Sequence, residues 1–348
     1  MNDAMYLALK NKVKAVGTDV NEVSDNVQVV SDKIGTPSDG TSTVFSKFDE
    51  VVAKLDGMSS SSGGGSGAAD VMTLVEALES SNTNVVEWAF EQEGIGTALN
   101  VLYGLDSDDL ANCNTVEEIA QSDAALGAIN SNTDAFNLCS NNNETLNYAL
   151  AVYSMTDDEK VLVAGNGYST YSVGDLLTLT WNNTATQFRV VHKGYKTSNK
   201  IVLVSENILA KTTWHASANN YSSSNLRTYL NGTVLSGFNT LIQNAIVTTA
   251  VACHNKATAV TCNDKIWALS YAEAGLGTNS YAPAEGSALS YFNSATRRVK
   301  TYSGSADYWW LRTPYSNDTN YAWIVSTYGS ADLYNVSNSY GVVPAFEI

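Results

Sequence analysis

The chain is poor in the residues on which catalysis and covalent scaffolding depend. Among 348 residues there are three His, four Cys, four Pro and five Met. Cys113, Cys139, Cys253 and Cys262 are too few and too scattered for a disulfide framework. Cys253 and Cys262 flank a tight excursion, CHNKATAVTC, and either remain free thiols or pair once outside a cell. Only His254 lies close to them and no C-x-x-C is present, so there is no zinc pattern. His192, His215 and His254 stand in no nucleophile or carboxylate motif, and each reads as a surface or satisfied core residue. The G-x-S-x-G, P-loop, H-E-x-x-H and dinucleotide motifs are missing, and Gly165-Asn166-Gly167 reads as a turn. The expectation is a protein without enzymatic activity, cofactor or metal.

Positive charge is missing over a long stretch: no Lys or Arg occurs between Lys54 and Lys160. Residues 1–150 carry 6 Lys/Arg against 23 Asp/Glu, whereas residues 151–348 carry 13 against 12. Such an acidic segment repels nucleic acid and anionic membranes, which directs the search for partners to the near-neutral second half. Runs of 18 apolar residues are absent, and the start, MNDAMYLALKNK, has no apolar core for a secretory leader. These features predict a chain made in a cytoplasm, with no insertion into a membrane.

What is present divides into four stretches. In residues 1–57, Tyr6, Leu9, Val13, Val16, Val20, Val23, Val27, Val30 and Ile34 recur with spacings alternating three and four, the seam of a coiled coil. Valine at both core positions favours more than two strands, so a parallel homotrimer is expected. Gly35-Thr36-Pro37-Ser38-Asp39-Gly40 breaks that helix, and Val44, Phe48, Val51 and Leu55 form a second short seam. Residues 58–69 hold the tether SSSSGGGSG. Residues 70–150 show a ten-residue repeat, Val116, Leu126, Phe136, Leu146 in one column and Ile119, Ile129, Cys139, Ala149 in the other. Short helices started by Asn, Ser or Thr would give it, either as a spacer array or as an irregular helical domain.

Residues 151–348 change texture at about Ser154. VLVAG, YSVGDLLTLTW, TQFRVVHKGY, KIVLVSENIL, KIWALS, YAWIVS, DLYNV and GVVPAFEI read as strands, with helices at NLRTYLN, capped by Ser224, and at 241–249. The fold class expected is α+β with antiparallel strands. In YWWLRTP, Trp309 and Trp310 alternate faces and Arg312 is placed to bond loop carbonyls. Gly341 reads as a turn residue, and Pro344 as a mark of an edge or bulged strand.

Between these flanks the composition shifts again. From Tyr315 to Tyr340, 18 of 26 residues are Tyr, Ser, Asn, Thr or Asp, and none is Lys, Arg, Glu, Gln, Met or His. Tyr offers stiff amphipathic area and Ser and Asn offer adaptable hydrogen bonds, which is the chemistry of recognition loops. An ordinary polar meander with outward Tyr and Ser has the same composition. The candidate ligand-binding residues are Tyr315, Asn317, Asp318, Asn320, Tyr321, Trp323, Tyr328, Ser330, Asp332, Tyr334, Asn335, Ser337, Asn338 and Tyr340.

Four motifs in order carry a resemblance. They are Asn225-Leu226-Arg227 with Tyr229-Leu230-Asn231, Ile266-Trp267-Ala268-Leu269-Ser270 with Glu273, Trp309 to Pro314, and Gly341 to Phe346. Together they resemble C-type-lectin-like domains of gut bacteria and their phages, a family that includes target proteins of diversity-generating retroelements and shares its fold with formylglycine-generating enzymes. The family pattern has Arg where this chain has Val343, and Cys253 and Cys262 are not placed like the enzymes' reactive cysteines. Randomising the adenines of AAC or AAT codons cannot give Lys, Glu, Gln, Met or Trp, so Trp323 would be a fixed or core position. The first half is similar to phage tail-fibre proteins. The two resemblances imply a virion protein, a homotrimer that joins other tail proteins through its N-terminus and binds a host cell-surface protein or glycan. A bacterial surface adhesin of the same fold is the alternative.

Overall fold

The computed structural model describes residues 71–348, so both heptad seams and the tether lie outside the described residues. Residues 71–348 fall within one compact unit. Its first part is a run of short helices: α1 Val71–Leu78, α2 Thr83–Phe90, α3 Ile95–Tyr103, α4 Asp108–Ala111, α5 Val116–Gln121, α6 Asp123–Asn130, α7 Thr133–Asn142 and α8 Glu144–Tyr153. The starts are set locally. Ser107, Thr115, Ser122, Asn132 and Asn143 each accept a backbone N–H of the turn they open, and Glu118 closes a capping box onto Thr115.

The ten-residue repeat is the period of these helices. Val116, Leu126, Leu146, Ile119, Ile129 and Cys139 are buried, with Phe136 and Ala149 half-buried. Much of the acidity of this stretch falls in first turns, at Asp108, Asp109, Glu117, Glu118, Asp123, Asp134 and Glu144. There negative charge meets the positive end of the helix dipole. Helix α8 continues through position 150 and ends at Tyr153.

VLVAG is not a strand. It ends α9, Asp157–Val163, whose start is a capping box between Thr156 and Glu159, and the short α10, Gly167–Thr170, follows. The local cap outweighs the β propensity of Val161 and Val163.

The remainder is α+β. One five-stranded sheet has the order β1-β2-β3-β14-β7: Leu176–Trp181, Thr184–Lys193, Ile201–Ser205, Pro344–Glu347 and Trp267–Ala268. The second has the order β12-β11-β10-β13-β4: Ala331–Asn335, Tyr321–Val325, Trp309–Pro314, Ser339–Val342 and Ala210–Thr213. Two hairpins complete it, β5–β6 at Thr249–Asn255 and Thr258–Asp264, and β8–β9 at Lys300–Tyr302 and Ser305–Asp307. Helices α11 (Asn225–Tyr229, run on by a π-turn over Leu230–Val234), α12 (Thr240–Ala245) and α13 (Ala295–Arg298) lie between strands.

Nearly all pairing is antiparallel, with one parallel bridge between β10 and β13. Ser224 caps α11 by accepting from the Arg227 N–H. A single hydrophobic core runs from Met155 to Ile348, with Trp309, Trp310, Trp214, Phe188 and Phe346 fully buried. No helix among the described residues is long and apolar enough to cross a membrane.

Two expectations on the flanks are corrected. Pro344 opens β14, which lies between β3 and β7; a strand's first residue needs no ladder N–H, so proline is tolerated inside the sheet. Gly341 lies within β13 rather than in a turn. A Cβ there would sit 2.6 Å from Ile208 Cδ1 and 2.8 Å from the Tyr308 carbonyl oxygen, so close packing demands glycine.

Candidate ligand-binding surface

The surface rests on β10, every residue of which is buried. Arg312 is the centre of its support. Its Nε donates to the Ala252 carbonyl (2.9 Å) and its Nη1 to Ala268 (2.9 Å). Its Nη2 donates to the Glu285 carbonyl (3.2 Å), and both Nη atoms fork onto the Glu273 carboxylate. Burial opposes the charge of Arg312, but Glu273 outweighs it and holds the guanidinium above its ordinary pKa.

Glu285 is also buried. It accepts from Thr313 Oγ1 (2.6 Å) and meets His254 Nδ1 at 3.1 Å. Trp309, Trp310 and Trp214 donate to the carbonyls of Arg298, Thr212 and Leu311. Glu347, two residues beyond Ala345, bonds the backbone N–H groups of Lys196 and Thr197 and the Thr197 hydroxyl. This carboxylate is therefore held by neutral donors.

The candidate residues fall on β11, β12 and the turns around them. Tyr321 pairs with Asn335, Ala322 with Tyr334, Trp323 with Leu333 and Ile324 with Asp332, so the members of each pair share a face. Asn317, Asn320, Tyr321, Tyr328, Ser330, Asp332, Ser337 and Asn338 are exposed; Tyr315, Asp318, Tyr334, Asn335 and Tyr340 are half-buried. Trp323 is the exception at 7% exposure. Its ring meets Tyr271 at 4.8 Å and Tyr315 at 6.1 Å, because β11 is covered on both faces once past Tyr321. Trp323 thus belongs to the support.

Two aromatic groups emerge. In the first, Tyr334 and Tyr340 meet at 4.7 Å, Tyr308 lies within 5.8 Å of both, and Tyr340 rests edge-on against Trp310 at 5.2 Å. Burial holds the pKa of the Tyr340 phenol above its ordinary value. In the second, Trp323, Tyr315 and Tyr281 step outward, with Tyr281 46% exposed. The Tyr281 carbonyl accepts from the Ser316 N–H and hydroxyl, which fixes that step.

The loops are held from beneath. Asn219 is buried, and its Nδ2 lies 2.7–2.8 Å from the carbonyl oxygens of Tyr315, Asp318 and Tyr321, drawing 315–321 around one amide. Val336 N–H donates to the Asn320 carbonyl, so the loops before β11 and after β12 meet. Tyr328, 82% exposed, lies at the opposite end of β11, on the Ser326–Ser330 turn. Five strand residues separate the ends by roughly 13 Å. The candidate residues therefore form a surface with two ends rather than a single cluster.

Sequence reading did not identify Asn219, Tyr281 and Tyr308 as parts of this surface. Tyr281 follows Gly277-Thr278-Asn279-Ser280, a short polar run like those beside the tyrosines of 315–340, and this was the available signal; Asn219 left none, because its role depends on contacts about a hundred residues away. Among the described residues no cluster of three or more His, Cys, Asp or Glu gathers for a metal.

Residues 198–348 match the family described as a domain of unknown function, DUF6273. The matched stretch contains β3 to β14 and every residue of the surface. No curated protein and no solved structure matches the chain.

Proposed function

We propose that this chain is a receptor-binding protein of a phage tail. In this reading residues 1–57 trimerise, 58–69 tether, 70–150 space, and 151–348 form a C-type-lectin-like head whose surface around 315–340 binds a protein or glycan on the host cell. Binding without a chemical step is its activity, and retroelement diversification would act on the exposed positions of the surface.

One observation carries the reading. Tyrosines are held half-exposed or exposed on strands backed by Trp309, Trp310 and Arg312, beside Asn and Ser turns whose backbones are already bonded. Rigid aromatics with adaptable polar neighbours lose little entropy on binding, which favours affinity for a macromolecular surface. The order of the four motifs supports the lectin-like head, and the heptad seam with its tether supports the tail setting.

The test is binding of the labelled full chain to a panel of bacterial cells. Replacing Tyr281, Tyr321 and Tyr328 singly by Ala should leave melting within about 0.5 kcal/mol, as at exposed sites. At one or more of them cell binding should fall by about 30-fold, the loss of about 2 kcal/mol expected of a hot spot. Binding to no cell type, or binding untouched by any of the three replacements, sinks the proposal.

A further inference from the structure

Cys253 on β5 and Cys262 on β6 are not directly opposite each other. Cys253 faces Val260 and Cys262 faces Val251, which places the two sulfurs on one face, two rungs apart. The right-handed twist of a two-stranded ribbon closes one diagonal of such a pair. Here the Sγ atoms approach to 2.8 Å, as free thiols, and both residues are buried. Cys113 and Cys139 are also buried, but each lies in the helical part without a thiol partner among the described residues.

The pair sits in a hairpin that supports other parts. Ala252, next to Cys253, gives its carbonyl to Arg312, and His254 meets Glu285. Beyond them Asn255 bridges to Asn220 and holds Ser222, while Lys256 N–H donates to the Asn219 carbonyl. Asn219 in turn gathers loop 315–321. A bond across the hairpin would therefore brace the segment that carries Asn219.

We infer that Cys253 and Cys262 are a redox-modification site, closed to an intramolecular disulfide by a small disulfide oxidant of the glutathione class. One cysteine loses its proton, and its sulfur attacks the oxidant's S–S bond, giving a mixed disulfide and releasing one thiol of the oxidant. The second cysteine loses its proton and attacks the protein sulfur of that mixed disulfide, expelling the other thiol. Two S–H bonds are lost and one S–S bond forms; both protons and both electrons leave with the oxidant as two thiols. Burial raises the pKa of the Cys253 thiol, and Cys262 raises it further, so exchange runs through brief opening of the hairpin. The site does not depend on what the chain binds.

The test uses the full chain, incubated with oxidised glutathione with and without urea below the unfolding transition. It is then acid-quenched, denatured, alkylated and mapped by mass spectrometry. The expected product is a Cys253–Cys262 linkage lighter by two hydrogens, with Cys113 and Cys139 alkylated. The oxidised chain should melt a few degrees higher and exchange the amides of 315–321 more slowly, and Cys262→Ser should show neither gain. Full alkylation of Cys253 and Cys262 after incubation in urea overturns the inference. Two separate glutathione adducts that never resolve overturn it as well.

Discussion

Arg312 is a full charge with no route to water, and all five of its N–H directions are used by Glu273 and three carbonyls. Lysine offers a point charge in place of the planar fork and would leave Glu273 part-paired in the core. We expect Arg312→Lys to cost about 3–5 kcal/mol in urea unfolding, and a loss below 1 kcal/mol would show that the network carries little. Lys300 is the opposite case. Its Nζ donates to the Ser205 carbonyl (2.8 Å), with Glu206 3.8 Å away. Burial lowers its pKa from 10.5 to about 8, partly offset by Glu206. Between these values the unfolded chain holds a proton that the folded chain has released, so stability rises with pH across that window, and the penalty is fully present below it. The shift corresponds to about 3 kcal/mol. Lys300→Met should raise stability at pH 7 and remove the part of the rise between pH 8 and 10 that separates the two proteins; parallel profiles for wild type and variant would rule this out.

At the scale of elements, small groups fix long stretches. Replacing Asn219 by Ala removes one amide from three carbonyls, and we expect a loss of about 1–3 kcal/mol with faster hydrogen exchange confined to 315–321. Exchange raised evenly over the whole sheet would contradict that local role. Helix α9 closes the free edge of β1: Asp158 and Glu159 accept the Thr178 and Thr180 N–H groups at 2.7 Å, and the Thr156 hydroxyl donates to the Thr178 carbonyl. A 154–348 fragment should therefore fold cooperatively, while one starting at 165 loses near-ultraviolet circular dichroism or associates through the bared edge. Such detail marks what the sequence could and could not carry. Helix starts by Asn, Ser or Thr in residues 70–150 and the cap at Ser224 were legible, because caps are local; alternation set Trp309 and Trp310 on opposite faces, and both are buried because β10 is covered on both sides. Strand status for VLVAG was misread because the capping box of Thr156 and Glu159, itself local, was overlooked; the burial of Trp323 and the place of Pro344 inside the sheet depend on distant elements. The β5–β6 hairpin passed as an excursion, its two-residue turn marked only by Lys256 at φ 53.

For the whole molecule, the uneven charge and the heptad seam set the expectation. A single head of the proposed kind binds through a surface with few anchors, and three heads on one shaft raise apparent affinity through effective concentration. Valine at both core positions from Val13 to Val30 predicts the trimer, and these positions lie outside the described residues. Replacing Val20 and Val27 by Asp would bring three carboxylates together at each of two layers of the seam, with no cation to pair them. We expect the variant to scatter light as a monomer, to keep the melting transition of residues 71–348, and to lose about 10²-fold or more in binding to cells carrying a dense receptor. Binding of a single immobilised head should not change. Light scattering of the unmodified chain decides first: a monomer or dimer there removes the trimer. If the trimer holds but the variant binds cells as tightly as the parent, one head suffices, and the seam serves attachment rather than avidity.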